Sequence, residues 1–170
     1  MGTLNSTNII TNRITPTGGV PSGGGGGIIQ VKQTVLTDHQ SRSGGGVTTR
    51  YNITGFNVSI TPKFSTSKIL ILTNMTIDSA SSNNLQAKLL RGSTQIKLEQ
   101  FWGYFQTSSA NSHFKVTRES HMHIDSPSTT SSTTYKWQIR LLSGTQTNYV
   151  NWDDSNGDTD SQIVLMEIGQ

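Results

Sequence analysis

His121 and His123 form an H-x-H pair. On an extended chain, residues two apart stand on one face, so the two imidazoles can share a metal ion. A threefold axis would gather six of them at one point. Lys115 and Glu119 fall on the same face, which also describes an ordinary amphipathic strand with its histidines in solvent. A second candidate is Asp153-Asp154-Ser155-Asn156-Gly157-Asp158-Thr159-Asp160, which has the composition of a calcium loop. No glutamate stands at the twelfth position from either starting Asp, so the helix–loop–helix spacing fails. A solvated hairpin tip is expected there, and no cofactor is expected anywhere in the chain.

Other chemistry is poorly served. Serine nucleophiles need a nearby base and an oriented third group, and the chain has no G-x-S-x-G elbow. Of its 10 acids, half sit in the last 20 residues, which leaves little from which to pair two catalytic carboxylates. The chain has no cysteine, so disulfides and thiolate metal sites are excluded. No enzyme activity is expected. Among the aromatics, Trp137 alternates with Lys136 and Gln138 and belongs to a core. Trp102 and Trp152 lie near loops, where they could form a stacking platform for sugar or fill a core or interface. The sequons at Asn5, Asn52, Asn57 and Asn74 are no more than chance supplies in a chain so rich in Asn, Ser and Thr, and carry no implication of secretion.

The elements that would position these residues are strands. Hydroxyl residues abound, 31% of the chain is hydrophobic and only 14% is charged. Thr favours pleated surfaces while Ser, Asn and Gly favour turns. From Ile28 onward the pattern has period two. In residues 133–142, Tyr135, Trp137, Ile139 and Leu141 share a dry face opposite Lys136, Gln138 and Arg140. Residues 113–124 repeat this, with Phe114, Val116, Met122 and Ile124 dry, and Lys115, Glu119, His121 and His123 wet. Arg118 interrupts that dry row, which predicts a bulge or an edge strand. In residues 28–36, Ile29, Val31 and Val35 share a face; residues 47–53 and 56–60 read as two further strands. Residues 68–78 open on the apolar run Ile69 to Leu72, the signature of a central strand covered on both sides. Residues 85–91 and 94–98 flank Gly92-Ser93, a two-residue hairpin signal. Strands at 149–152 and 162–168 close the chain. About ten short antiparallel strands predict an all-β, antiparallel β-sandwich with jelly-roll-like connectivity over residues 28–170, preceded by an extended N-terminal arm.

Residues 1–27 form that arm and end in five consecutive glycines, Gly23 to Gly27, which read as a flexible tether. Leu4, Ile9, Ile10, Ile14 and Val20 are too few to fold alone but suit a peptide that orders on a partner. Gly2 and Ser6 fit the short myristoylation pattern, which is common by chance, and no stretch approaches the roughly 20 apolar residues of a membrane helix, so no membrane insertion is expected. Residues 1–150 carry 13 basic and 5 acidic side chains, whereas residues 151–170 carry 5 acids and no base. The basic residues occur singly along the strands, as on a solubilised outer sheet, and no nucleic-acid partner is expected. The acidic end could contact a basic neighbour.

Several segments resemble virion structural proteins of tailed phages, those of marine and cyanobacterial phages especially. They are SITPKFSTSKILILTNMTI (residues 59–77), LLRGSTQI (89–96), HIDSPSTTSSTTYKWQIRLLSGTQTNYVNW (123–152) and SQIVLMEIGQ (161–170). The opening MGTLNSTNI with its later glycine tether is similar to the starts of many phage fibre and appendage proteins. The resemblance spans most of residues 28–170 and implies a virion component, a homotrimeric jelly-roll related in shape to TNF/C1q-like modules, with no catalytic residues. The expectation that follows is a trimeric appendage in the virion. Its arm would engage other virion proteins through Leu4, Ile9, Ile10 and Ile14, and its β-domain would meet a host-surface glycan. A capsid decoration protein is the alternative, and a free carbohydrate-binding module lies further out.

Overall fold

The structure is a computed structural model, and it describes residues 27–42, 49–79, 85–101, 117–141, 148–151 and 159–169. Every regular element among them is a strand: β1 (Ile28–Leu36), β2 (Gln40–Arg42), β3 (Tyr51–Ile60), β4 (Lys68–Ser79), β5 (Leu85–Arg91), β6 (Thr94–Phe101), β7 (Thr117–Asp125), β8 (Thr133–Leu141), β9 (Asn148–Val150) and β10 (Ser161–Ile168). Among the described residues no helix is long and apolar enough to cross a membrane.

The strands make two antiparallel sheets. The larger runs β1-β10-β4-β9-β2, with β7 on the free side of β4; the smaller runs β3-β8-β5-β6. Ile77 of β4 pairs with both Thr117 of β7 and Val150 of β9, so β9 lies on the β10 side of β4 and continues the line of β10 beyond its end. Apart from the β5–β6 hairpin and the short strands β2 and β9, each successive strand crosses to the other sheet, which is jelly-roll connectivity. The hairpin turns at Gly92-Ser93 as the sequence predicts, and Gly92 takes φ 58, a conformation that favours glycine.

The core lies between the sheets. From the larger come Ile69, Ile71, Met75, Ile77, Ile163 and Leu165; from the smaller come Ile53, Phe56, Val58, Ile60, Leu89, Tyr135, Trp137 and Ile139. Trp137, almost fully buried, donates its indole N–H to Thr73 Oγ1 across the sandwich at 3.0 Å. The described parts of residues 47–53 and 56–60 do not form two strands, residues 47 and 48 lying outside the described residues. They make one strand, β3, which begins at Tyr51 and absorbs Gly55 (φ 74) in a register shift against β8.

The apolar row of β1 faces outward, and the faces of β7 are reversed from expectation. The inward side of β1 is Gln30, Lys32, Thr34 and Leu36; Val31 and Val35 point away from the core and are exposed. In β7 the predicted dry residues Met122 and Ile124 are 64% and 54% exposed. His121 and His123 stand opposite Thr73 and Ile71 of β4, on the inner side. Arg118 causes no register shift in β7, which among the described residues is an edge strand paired with β4 alone.

Candidate functional site

The two histidines are not solvent-facing. The His121 side chain is 10% exposed, its ring lies 5.2 Å from that of Trp137, and its Nδ1 is 3.7 Å from Glu99 Oε1, which also pairs with Lys97 at 2.7 Å. Burial pushes this imidazole below its ordinary value; Glu99 opposes the effect and Lys97 adds to it. His123 is half-buried on the same side. The pair therefore looks into the sandwich between β7 and β6. Among the described residues no three His, Asp or Glu side chains gather as a metal-ligand set. Asp160, the last acid of the aspartate-rich loop, pairs with Arg118 at 3.3 Å. Leu4, Ile9, Ile10, Ile14, Trp102, Trp152 and Asp153 to Asp158 lie outside the described residues.

The buried ionic groups brace one sheet against the other. Asp125, at the end of β7, accepts the Tyr135 hydroxyl at 2.7 Å and Arg91 Nη1 at 3.0 Å. Burial, and then the hydrogen bond to Asp125, hold the Tyr135 phenol far above its ordinary value, so it acts as a fixed donor. Glu167 of β10 is wholly buried and accepts the Lys63 amide and Gln30 Nε2, each at 2.6 Å. Burial alone would raise its carboxyl, but the bonds from Gln30, Lys63 and their neighbours outweigh burial and hold it below its ordinary value. Asn151, buried and at φ 55, donates Nδ2 to Leu36 O at 2.6 Å and accepts Ser161 Oγ at 2.7 Å, stitching the ends of β1, β9 and β10. Each of these polar groups is engaged in holding strands, and none converges with a nucleophile on an open cleft.

Among the described residues nothing covers the outer face of the larger sheet. Register aligns Val31, Met166, Leu70 and Ile124 in one row across β1, β10, β4 and β7. The next row is Gln33, Val164, Leu72 and Met122. At a strand spacing of about 4.8 Å and roughly 7 Å between rows, this is an apolar plate of about 300 Å². Such a patch is within the range of the largest apolar patch on an ordinary monomer, which is often functional. Beside it lies a depression of about 360 Å³ whose lining includes Leu72, Met122 and Val164 on one side and Asn74, Ser120 and Gln162 on the other. The run Ile69 to Leu72 has the composition of a strand covered twice. Ile69 and Ile71 enter the core; Leu70 and Leu72 are only half-buried, and no described element packs over them.

No protein-family model matches the chain, and no curated protein matches it. Among solved structures it is similar to the VP2 subviral particle of infectious bursal disease virus, with a TM-score of 0.45 and 10% identity over 82% of this chain and 39% of that one. It is also similar to the T=1 particles derived from infectious bursal virus, with a TM-score of 0.41 and 6% identity over 84% of this chain and 39% of that one. A third neighbour is dimeric latent PorU from Porphyromonas gingivalis, with a TM-score of 0.39 and 9% identity over 89% of this chain and 14% of that one. The chain thus spans about two fifths of the length of the two virus-particle chains it matches, and a smaller share of the third.

Proposed function

We propose that the chain is a virion structural protein: a trimeric appendage module whose residues 1–27 anchor it to the particle and whose β-domain projects outward for host-surface adsorption. One observation carries the reading, the apolar plate of Val31, Leu70, Leu72, Met122, Ile124, Val164 and Met166 on the outer side of a sheet whose other side is already the core. A second copy and a third are its occupants. A plate of about 300 Å² falls short of the roughly 800 Å² per partner of a stable pair; in a closed ring it supplies one side of each contact and a different surface of the neighbour supplies the other. The phage-type segments at 59–77 and 123–152 and the tethered arm support the virion location.

Light scattering on the full chain should give three protomers. Leu72→Lys combined with Met122→Lys, which adds charge at exposed or half-buried positions without touching the core, should give monomers with an unchanged β-sheet circular-dichroism spectrum. A wild-type chain that stays monomeric at high concentration overturns the assembly reading. Mass spectrometry of purified particles checks the location: tens of copies or fewer fit an appendage, hundreds fit head decoration, and none rejects both.

A further inference from the structure

The positive charges, scattered in the sequence, are gathered by the fold. Arg50 immediately precedes β3, Lys88 lies in β5, and Lys136 and Arg140 lie in β8. β8 runs between β3 and β5, and its register sets Arg140 opposite Gln86, Gln138 opposite Lys88, and Asn52 opposite Gln138. All of these alternate with the core residues Ile139, Trp137 and Ala87, so they share the outer face of the smaller sheet. Arg140 Nε donates to Gln86 Oε1 at 2.9 Å, and Arg50 Nη2 donates to the same oxygen. Two guanidinium groups thus converge on one neutral amide. Arg50 Nη1 is shielded from solvent and has no hydrogen-bond partner among the described residues.

Among the described residues no Asp or Glu pairs with Arg50 or Lys88. The sequences of β3, β5 and β8 contain no Asp or Glu, and neither do the adjoining segments 43–48, 80–84 and 142–147. Glu99 of β6 stands opposite the core residue Ala87, on the inner face, and is occupied by Lys97. The crowding registers on the cations themselves. Arg50 is pushed below its ordinary value by burial and then by Arg140; Lys88 is lowered by burial, then by Arg50 and Arg140. Like charges pressed together with an unspent donor are costly unless an anion arrives to share them.

From this juxtaposition we infer that Arg50, Lys88 and Arg140, grouped about Gln86, form a binding site for an oxyanion, a phosphate, sulfate or carboxylate borne by a polysaccharide. This deepens the adsorption reading and rests on it, because it names the class of surface glycan that the projecting domain would hold. Guanidinium groups match oxyanions in planar, forked geometry. Asn52 and Gln138, joined by a 2.8 Å hydrogen bond and otherwise open, provide amide groups for the hydroxyls of neighbouring sugar units. Nucleic acid fits less well, since the described outer positions of this sheet carry no aromatic ring on which a base could stack.

Two probes on the full-length chain test the site. In a titration with sodium sulfate, the side-chain Nε resonances of Arg50 and Arg140 should shift and saturate, while that of Arg91, committed to Asp125, should not move. On immobilised dextran sulfate the protein should be retained at physiological ionic strength, well beyond its response to free sulfate, and on uncharged dextran it should not. Lys88→Gln and Arg140→Gln should each weaken retention about tenfold, the loss of one charge-assisted contact. Lys63→Gln, an exposed cation elsewhere, should leave retention unchanged, with circular dichroism confirming that every variant is folded. The inference is overturned if Lys88→Gln and Arg140→Gln bind like wild type. It is overturned if free sulfate binds as tightly as the polymer, or if a single-stranded DNA of equal charge binds more tightly through the same residues. Any of these results leaves trimer mass and particle membership untouched, so the two readings fail separately.

Discussion

Replacing Glu167 by glutamine removes one charge from a wholly buried position and disturbs little else in shape. The carboxylate accepts the Lys63 amide on Oε1 and Gln30 Nε2 on Oε2, both at 2.6 Å. A glutamine can keep its oxygen toward the Lys63 N–H, where a charge-assisted bond becomes a neutral one at a loss of about 1 kcal/mol. Its NH2 group then faces the amide of Gln30, which must turn over and give up its 2.7 Å bond to Thr61 O, for about 1–1.5 kcal/mol more. The expected cost at neutral pH is therefore about 2–3 kcal/mol, or roughly 5–10 °C in Tm for a chain of this size. The pH dependence follows from the folded-state carboxyl titrating below its unfolded value. The contribution is complete above about pH 4.3 and is lost as pH falls through the folded-state value, so wild type and E167Q should converge in acid. Urea unfolding at one fixed protomer concentration, repeated from pH 7 to pH 3, measures both effects. Equal midpoints at pH 7, or a gap that stays constant into acid, would refute the reasoning.

Tyr135→Phe leaves Asp125 with one donor fewer and should cost about 1.5–3 kcal/mol in urea. Its coupling to Asp125→Ala in a double-mutant cycle should exceed about 1 kcal/mol, and additivity would show that the bond contributes nothing. Asn151→Ala should be more damaging than Asn151→Gly, because both lose the bonds to Leu36 and Ser161 but only alanine is strained at φ 55; the reverse order would contradict the geometry. His121→Phe, which keeps a ring against Trp137, should flatten the decline in stability between pH 7 and pH 5. The wild-type imidazole titrates below its unfolded value, so its neutral form is favoured by the fold and stability falls as the unfolded chain takes up the proton. A decline identical in both proteins would assign it to other groups.

How much the sequence reveals depends on the element. Alternation places β8 with its inward face correct, and the apolar run locates β4, because these strands pair on both edges and have one face in the core. The Gly92-Ser93 turn is legible since turn chemistry is local. β2, the tripeptide Gln40–Arg42, has no apolar residue to announce it and exists through pairing with β9. Gly55 looks like a break and is a bulge, because its backbone freedom is used inside a strand. The outward row of β1 and the reversal of β7 have a different origin. Period two tells which side chains share a face and is silent about which face meets the core. Arg50, Gln86 and Arg140 lie 36 and 54 residues apart, so their meeting is a property of strand order that no local pattern contains.

Thr76 meets both feet of the aspartate-rich segment 152–158. Its carbonyl accepts the Asn151 amide at 3.0 Å, its own amide donates to Ser161 Oγ at 3.0 Å, and its hydroxyl donates to Asp160 O at 3.0 Å. Exit and return are thereby soldered to a single residue of β4. Closure entropy grows only with the logarithm of length, about 0.6 kcal/mol per doubling, so a longer or wholly foreign peptide could be spliced in between Asn151 and Thr159 at small thermodynamic penalty. The two anchored ends thus form a port for grafted epitopes or affinity tags.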